Sequence, residues 1–228
     1  MIDNKIMFDM KVLLLTDIHG NIEKLERIIY REDDFNVALC AGDISDARRF
    51  EDYEKRLKRI LKVFDKQRKL TKLVPGNMDV EEVCIKNLID YRMNLHKNIC
   101  SFDNFEAVGF GGGQTPFDTP FEPSEDELVN TLETLYERMN DGIKVAVTHQ
   151  PPYGLNVDIT GGKHVGSQKL RKFFENKDFD LILTGHIHEC RGIDKIGNGK
   201  IINPGSVDEG NYGIAYIDEE VEVELKSL

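Results

Sequence analysis

Val12-Leu13-Leu14-Leu15-Thr16-Asp17-Ile18-His19-Gly20 decides the fold: a short apolar run that stops on a carboxylate and an imidazole. Runs this brief, broken by Gly, Thr or Pro, read as strands buried on both faces of a parallel sheet. The pattern recurs at Val37–Ala41 before Asp43, Leu73–Val74 before Asn77, Val145–Val147 before His149, and Leu181–Leu183 before His186 and His188. In open α/β sheets ligands sit beyond the carboxyl ends of the strands. Seven side chains of metal-binding type are therefore expected along one edge.

Between these runs the apolar spacing turns helical. Ile22, Leu25, Ile28 and Ile29 share a face of a helix over Asn21–Arg31 with Asn21 as its cap, and Leu57, Ile60, Leu61 and Phe64 share a face within Phe50–Lys69. A third helix passes through Val83, Leu88 and Ile89, so three βα units stand in a row. Ile99–Phe110 reads as a hairpin turning at Asp103-Asn104, and Gly111–Pro123 is a long Gly- and Pro-rich loop of the kind that has a task. Ser124 with Glu127 forms a capping box for the next helix. Strand Lys144–Thr148, a loop over Gln150–Lys163, helix Ser167–Asn176 and strand Asp180–Thr184 follow. A hairpin over Arg191–Asn203 turning at Asn198-Gly199, then strands near Gly213–Ile217 and Val221–Leu225, complete the chain.

The 228 residues suffice for a sizeable core and are read as one domain over 1–228, with Met1–Asp9 as a weakly ordered lead. Forty-one acidic against 30 basic side chains, a net charge of −11, argue against a surface that holds extended nucleic acid by counterion release. No apolar stretch approaches the span of a membrane helix, and the residues before the first strand do not show a charged region followed by a long apolar one. Cys40, Cys84, Cys100 and Cys190 are scattered with no C-x-x-C pair, the usage of free thiols in the cytoplasm.

Taken singly, Asp-x-His is commonly a loop detail and Gly-Asp a turn, whereas two imidazoles in Gly-His-x-His after an apolar strand make poor core filler. Together, at strand ends, Asp17, His19, Asp43, Asn77, His149, His186 and His188 form a mixed nitrogen and oxygen donor set without thiolate. Such a set suits two divalent transition-metal ions, Mn, Ni, Fe, Co or Zn. Two such ions against the carboxylates of Asp17 and Asp43 leave roughly two positive charges, a local anion trap within an acidic protein.

The ordered set Asp17-Ile-His19, Gly42-Asp43, Gly76-Asn77-Met78-Asp79, His149-Gln-Pro-Pro and Gly185-His186-Ile-His188 resembles the calcineurin-like metallophosphoesterases over nearly the whole chain. The resemblance implies a four-layer α/β/β/α sandwich with two central mixed sheets. It also implies one ion held by Asp17, His19, Asp43 and His188, and a second held by Asp43, Asn77, His149 and His186, with Asp43 shared. Asn203-Pro204-Gly205-Ser206 is similar to a turn that often follows in this family. The activity implied is hydrolysis of a small phosphoester by metal-activated water, with catalytic roles falling on Asp43 and Asn77.

One position departs from the family pattern. Where the third motif commonly carries His, this chain has Met78, a thioether that cannot donate a proton. Family members without that His often resemble phosphodiesterases, so a phosphodiesterase is expected, with a phosphomonoesterase or nucleotide phosphatase as the alternative. A nuclease conflicts with the acidic balance, and a non-catalytic scaffold would be expected to have lost ligand positions. His164, in a glycine-rich loop, either reaches the site as a substitute acid or phosphate contact or makes a loop or capping contact. Asp79 is read as the cap of the following helix and His96 as structural or exposed; Arg48, Arg49 and Lys163 either meet substrate phosphates or, as is usual for scattered basic residues near turns, are solvated. Phe117 and Phe121 in the long loop either stack on a substrate ring or pack the loop onto the sheet.

Overall fold

A computed structural model describes residues 10–228; the lead expected at Met1–Asp9 lies outside them. The first half alternates as expected: β1 (Met10–Leu15), α1 (Ile22–Arg31), β2 (Val37–Cys40), α2 (Tyr53–Gln67), β3 (Leu70–Leu73) and α3 (Glu81–Asp90). Then come β4 (Asn98–Ser101), β5 (Phe105–Phe110), α4 (Glu125–Tyr136), β6 (Ile143–Thr148), β7 (Ile159–Thr160), β8 (Lys163–His164), α5 (Gln168–Glu175) and β9 (Leu181–Leu183). Two antiparallel hairpins, β10 (Gly192–Ile196) with β11 (Gly199–Asn203) and β12 (Asn211–Ile217) with β13 (Val221–Ser227), end the chain.

These strands form two mixed sheets, ordered β13-β12-β1-β2-β3 and β10-β11-β9-β6-β5-β4. In the first, β1, β2 and β3 run parallel; in the second, β5, β6, β9 and β11 do. Side chains alternate across a strand, and the runs use both faces. Leu13 and Leu15 of β1 point to the core shared with α1, α2 and α3, while Val12 and Leu14 join a core between the sheets. Val145, Val147, Leu181 and Leu183 meet them there, and Ala146 and Ile182 face the opposite way into a third core with α4 and α5. Three cores thus separate four layers, helices outside and sheets within, and each fully buried apolar side chain contributes about 1.5–3 kcal/mol.

Caps fix several helix starts: the side chains of Asn21, Ser124 and Ser167 accept from Lys24, Glu127 and Leu170 N–H. The reciprocal half of the expected capping box is diverted, for the Glu127 carboxylate meets Lys97 at 2.7 Å. α2 begins at Tyr53 rather than Phe50, because the Asp46 carboxylate gathers Arg48 and Arg49 N–H into a turn first. Ile89 is 58 % exposed and lies off the packed face of α3. The expected Gln150–Lys163 loop contains the small β7–β8 hairpin, turned by Gly161 and Gly162 at φ 55° and 77°. In the β10–β11 hairpin the turn falls on Gly197-Asn198, one residue earlier than expected, with Gly197 supplying φ 57°. No described helix is long and apolar enough to cross a membrane.

Candidate metal centre

The carboxyl ends of β1, β2 and β3 in one sheet and of β6 and β9 in the other open toward each other, and all seven expected donors meet there. His19 Nε2 and His188 Nε2 stand 3.0 Å apart, with Asp17 Oδ1 at 3.1 Å from His188 Nε2 and 3.7 Å from His19 Nε2. Beside this group Asn77 Oδ1 lies 2.8 Å from His149 Nε2 and 2.9 Å from His186 Nδ1. Asp43 Oδ2 sits between the two, 3.6 Å from His19 Nε2 and 3.5 Å from His149 Nε2. Apart from the partly exposed His186 and His188, the donors are nearly sealed from solvent. Burying that many charged and polar atoms for packing alone is costly, whereas a cation satisfies them together.

The backbone is strained where the donors need it. Among the described residues, eight non-glycines have positive φ, and four are Asp17 (53°), His19 (45°), Asp43 (48°) and His186 (73°). Each costs about 1 kcal/mol or more and persists because surrounding contacts hold it. A Cβ on Gly76 would fall 2.0 Å from Asp43 Oδ1, and one on Gly185 would fall 1.9 Å from Thr16 Oγ1, so both loops require glycine to close on their neighbours.

An outer set of bonds aims the donors. His149 Nδ1–H donates to the Ala41 carbonyl at 2.6 Å, which aims Nε2 at Asp43 and Asn77. Met78 N–H donates to Asp43 Oδ1 at 2.8 Å, freeing Oδ2 for the centre. Ser206 Oγ donates to the Asp17 carbonyl at 2.8 Å, so the Asn203–Ser206 turn braces the first loop. Asp79 does not cap α3, whose cap position is Val80. Its buried carboxylate instead accepts Ile44, Ser45 and Gly76 N–H at 3.0, 3.0 and 2.9 Å and Tyr53 Oη–H at 2.9 Å, tying the Asp43 loop to the Asn77 loop. Nothing in the spacing Gly-Asn-Met-Asp distinguishes this role from a cap.

Charge follows the geometry. Burial would raise the Asp17 carboxyl, but hydrogen bonds from His188 and His19 hold it well below the usual range. Burial works against protonation of His19, yet bonds to Asp17 and Asp46 push it up to about 11; His149, against the same burial, rises to about 9 through the charge of Asp43. His186 is driven down to about 4 by burial and by the charge of His149.

His164 stands apart. Its Nδ1 lies 2.6 Å from Asp158 Oδ1 and its ring packs on Tyr153; the fully buried Asp158 carboxylate also collects Gly154, Leu155 and Gly166 N–H. This is the contact that the loop reading of His164 expects. His96 is buried, with Nδ1 accepting Gly111 N–H at 2.9 Å. Arg49 pairs with Asp208, while Arg48 lies on the wall of a cavity of about 540 Å³ into which His19, Asp43, Asn77, His186 and His188 open.

Comparison with known proteins agrees with this architecture. The sequence profile of calcineurin-like phosphoesterases matches residues 10–190. An uncharacterized protein of Methanocaldococcus jannaschii is 36 % identical over 203 residues, covering 86 % of this chain and 88 % of its own. Among solved structures, TT1561 of Thermus thermophilus superposes with a TM-score of 0.77 at 16 % identity, covering 96 % of this chain and 98 % of that one. A dimetal phosphatase from Danio rerio does so with a TM-score of 0.68 at 12 % identity, covering 97 % of each. At these identities the structural likeness is one of fold.

Proposed function

From the premise that this chain belongs to the calcineurin-like phosphoesterase family, whose members hydrolyse phosphoesters with divalent metals, we propose that it is a dinuclear phosphodiesterase acting on small diesters. Asp17, His19, Asp43 and His188 would hold one ion and Asp43, Asn77, His149 and His186 the other, with manganese well suited to the thiolate-free donor set. When bound, such a pair activates water, orients phosphoryl oxygens and offsets charge in an in-line displacement. Asp43 and Asn77 then act through the donor geometry they fix. The four cysteines are free, which supports placement in the reducing cytoplasm.

Met78 carries the diester reading. Its side chain lines the cavity beside Asp43 and Asn77, where a thioether neither protonates a leaving oxygen nor hydrogen-bonds a phosphoryl oxygen. The other hydroxyls on the wall are committed elsewhere: Thr115 and Thr119 donate to Glu122, and Thr160 donates to Glu189. A monoester dianion would bring an extra charged oxygen to a position beside Asp43 and Asn77 where Met78 offers it no donor. A diester brings an esterified oxygen and an organic group that such a position accepts.

Manganese-loaded protein should hydrolyse an aryl diester with a higher kcat/KM than the matching monoester, and Met78→His should narrow the gap. A monoester turned over much faster than the diester would establish the phosphomonoesterase alternative instead.

A further inference from the structure

Part of the cavity wall is apolar, and it exposes side chains that a protein normally covers. Met78, Pro116, Phe117, Val165 and Ile187 line it, and Phe117 is 70 % and Val165 42 % exposed. Phe117 and Phe121, which the sequence leaves undivided, have different fates. Phe121 is 5 % exposed, its ring lies against His96, and its N–H donates to the Asn77 carbonyl at 3.1 Å. It packs the loop down. Phe117 instead stays largely in solvent.

The segment that presents Phe117 is braced. Arg48 donates to the Phe117 and Asp118 carbonyls at 2.6 and 2.5 Å, and Phe117 N–H donates to Thr115 Oγ1 at 3.0 Å. Glu122 gathers the Thr115 hydroxyl at 2.7 Å and the Thr119 N–H and hydroxyl at 2.7 and 2.5 Å. The backbone is therefore held while the ring stays in solvent, an arrangement that prepares a ligand contact without an ordering cost. At about 540 Å³ the cavity falls within the range that encloses a small organic ligand, far more than a phosphoryl group requires.

Resting on the diesterase reading above, we propose that Phe117, with Met78 and Val165, forms a clamp for a planar ring carried by the phosphodiester. Because Phe117, Met78 and Val165 offer a ring apolar contact and no strong hydrogen-bonding group, the clamp reads the face of the ring and not hydrogen-bonding groups on its edge. An aryl group and a nucleobase are equivalent to it, and an alkyl group is not.

Calorimetry on the manganese-loaded protein tests this with slowly hydrolysed, monoanionic phosphonate half-esters: monoethyl phenylphosphonate, thymidine 5′-methylphosphonate and monoethyl butylphosphonate. The two ring-bearing ligands should bind at least about tenfold more tightly than the butyl compound, the preference should vanish in Phe117→Ala, and it should return in Phe117→Trp. Equal binding of the butyl compound, or a preference that survives Phe117→Ala, overturns the clamp. Tight binding of thymidine with phenyl no better than butyl overturns recognition by the face. Hydrolysis measured on the same protein separates the two readings: ring preference without diester turnover removes the diesterase and keeps the clamp, and turnover without ring preference does the reverse.

Discussion

Asp43 sits 3.6 Å from His19 and 3.5 Å from His149 while Met78 N–H holds its other oxygen, so a single carboxylate serves both halves of the donor set. Asp43→Asn removes the charge and leaves the shape, and it should lower diester turnover by about 10²-fold or more with little change in thermal stability. Asp79 acts one step further out. Asp79→Ala leaves the Ile44, Ser45 and Gly76 N–H groups without their acceptor, which should cost about 1–3 kcal/mol in denaturant unfolding and about 10–100-fold in metal affinity. The donors at this scale were legible in the sequence because each follows an apolar run by two to five residues. The role of Asp79 was not, since its partners come from turns that spacing alone does not place. Nor does the sequence announce left-handed Asp17, His19, Asp43 and His186, because only contacts from distant segments hold them there.

At the scale of elements, the parallel strands β1, β2 and β9 were readable because both faces are buried and nearly every residue is apolar. Two-residue strands such as Ile159–Thr160 and Lys163–His164 carry no period to detect, and Gly161-Gly162 was their sole cue. The Gly111–Pro123 loop has a role that its composition only hinted at. It lies on the third motif, with Gly112 N–H on the Pro75 carbonyl at 2.9 Å, Phe121 N–H on the Asn77 carbonyl, and His96 under Gly111. His96 is 3 % exposed, and burial pushes it from 6.5 down to about 3. With the folded value below the unfolded one, the unfolded chain binds more protons between those two values. Stability should therefore fall as pH drops from about 6.5 toward 3, by up to about 1.4 kcal/mol per pH unit, and stay level with respect to this group above 6.5. His96→Gln, which retains an acceptor for Gly111, should flatten that slope in melting curves taken across the range; an unchanged slope would assign it to other groups.

For the molecule as a whole, the donor set joins two sheets that also share an apolar core. Asp17, His19, Asp43 and Asn77 belong to one sheet and His149, His186 and His188 to the other. Ions bound between them favour the folded state by mass action, worth about 2.7 kcal/mol at a hundredfold excess over Kd. Chelation should therefore lower the melting temperature by roughly 5–10 °C for a chain of this size, and readdition of manganese should restore it. The central claim is that diester hydrolysis needs two ions sharing Asp43. Metal-stripped protein titrated with manganese during hydrolysis of an aryl diester tests it most directly: turnover should be absent at first, plateau at two ions per chain and stay absent in Asp43→Asn, whereas full turnover with one ion or with chelator present would contradict it.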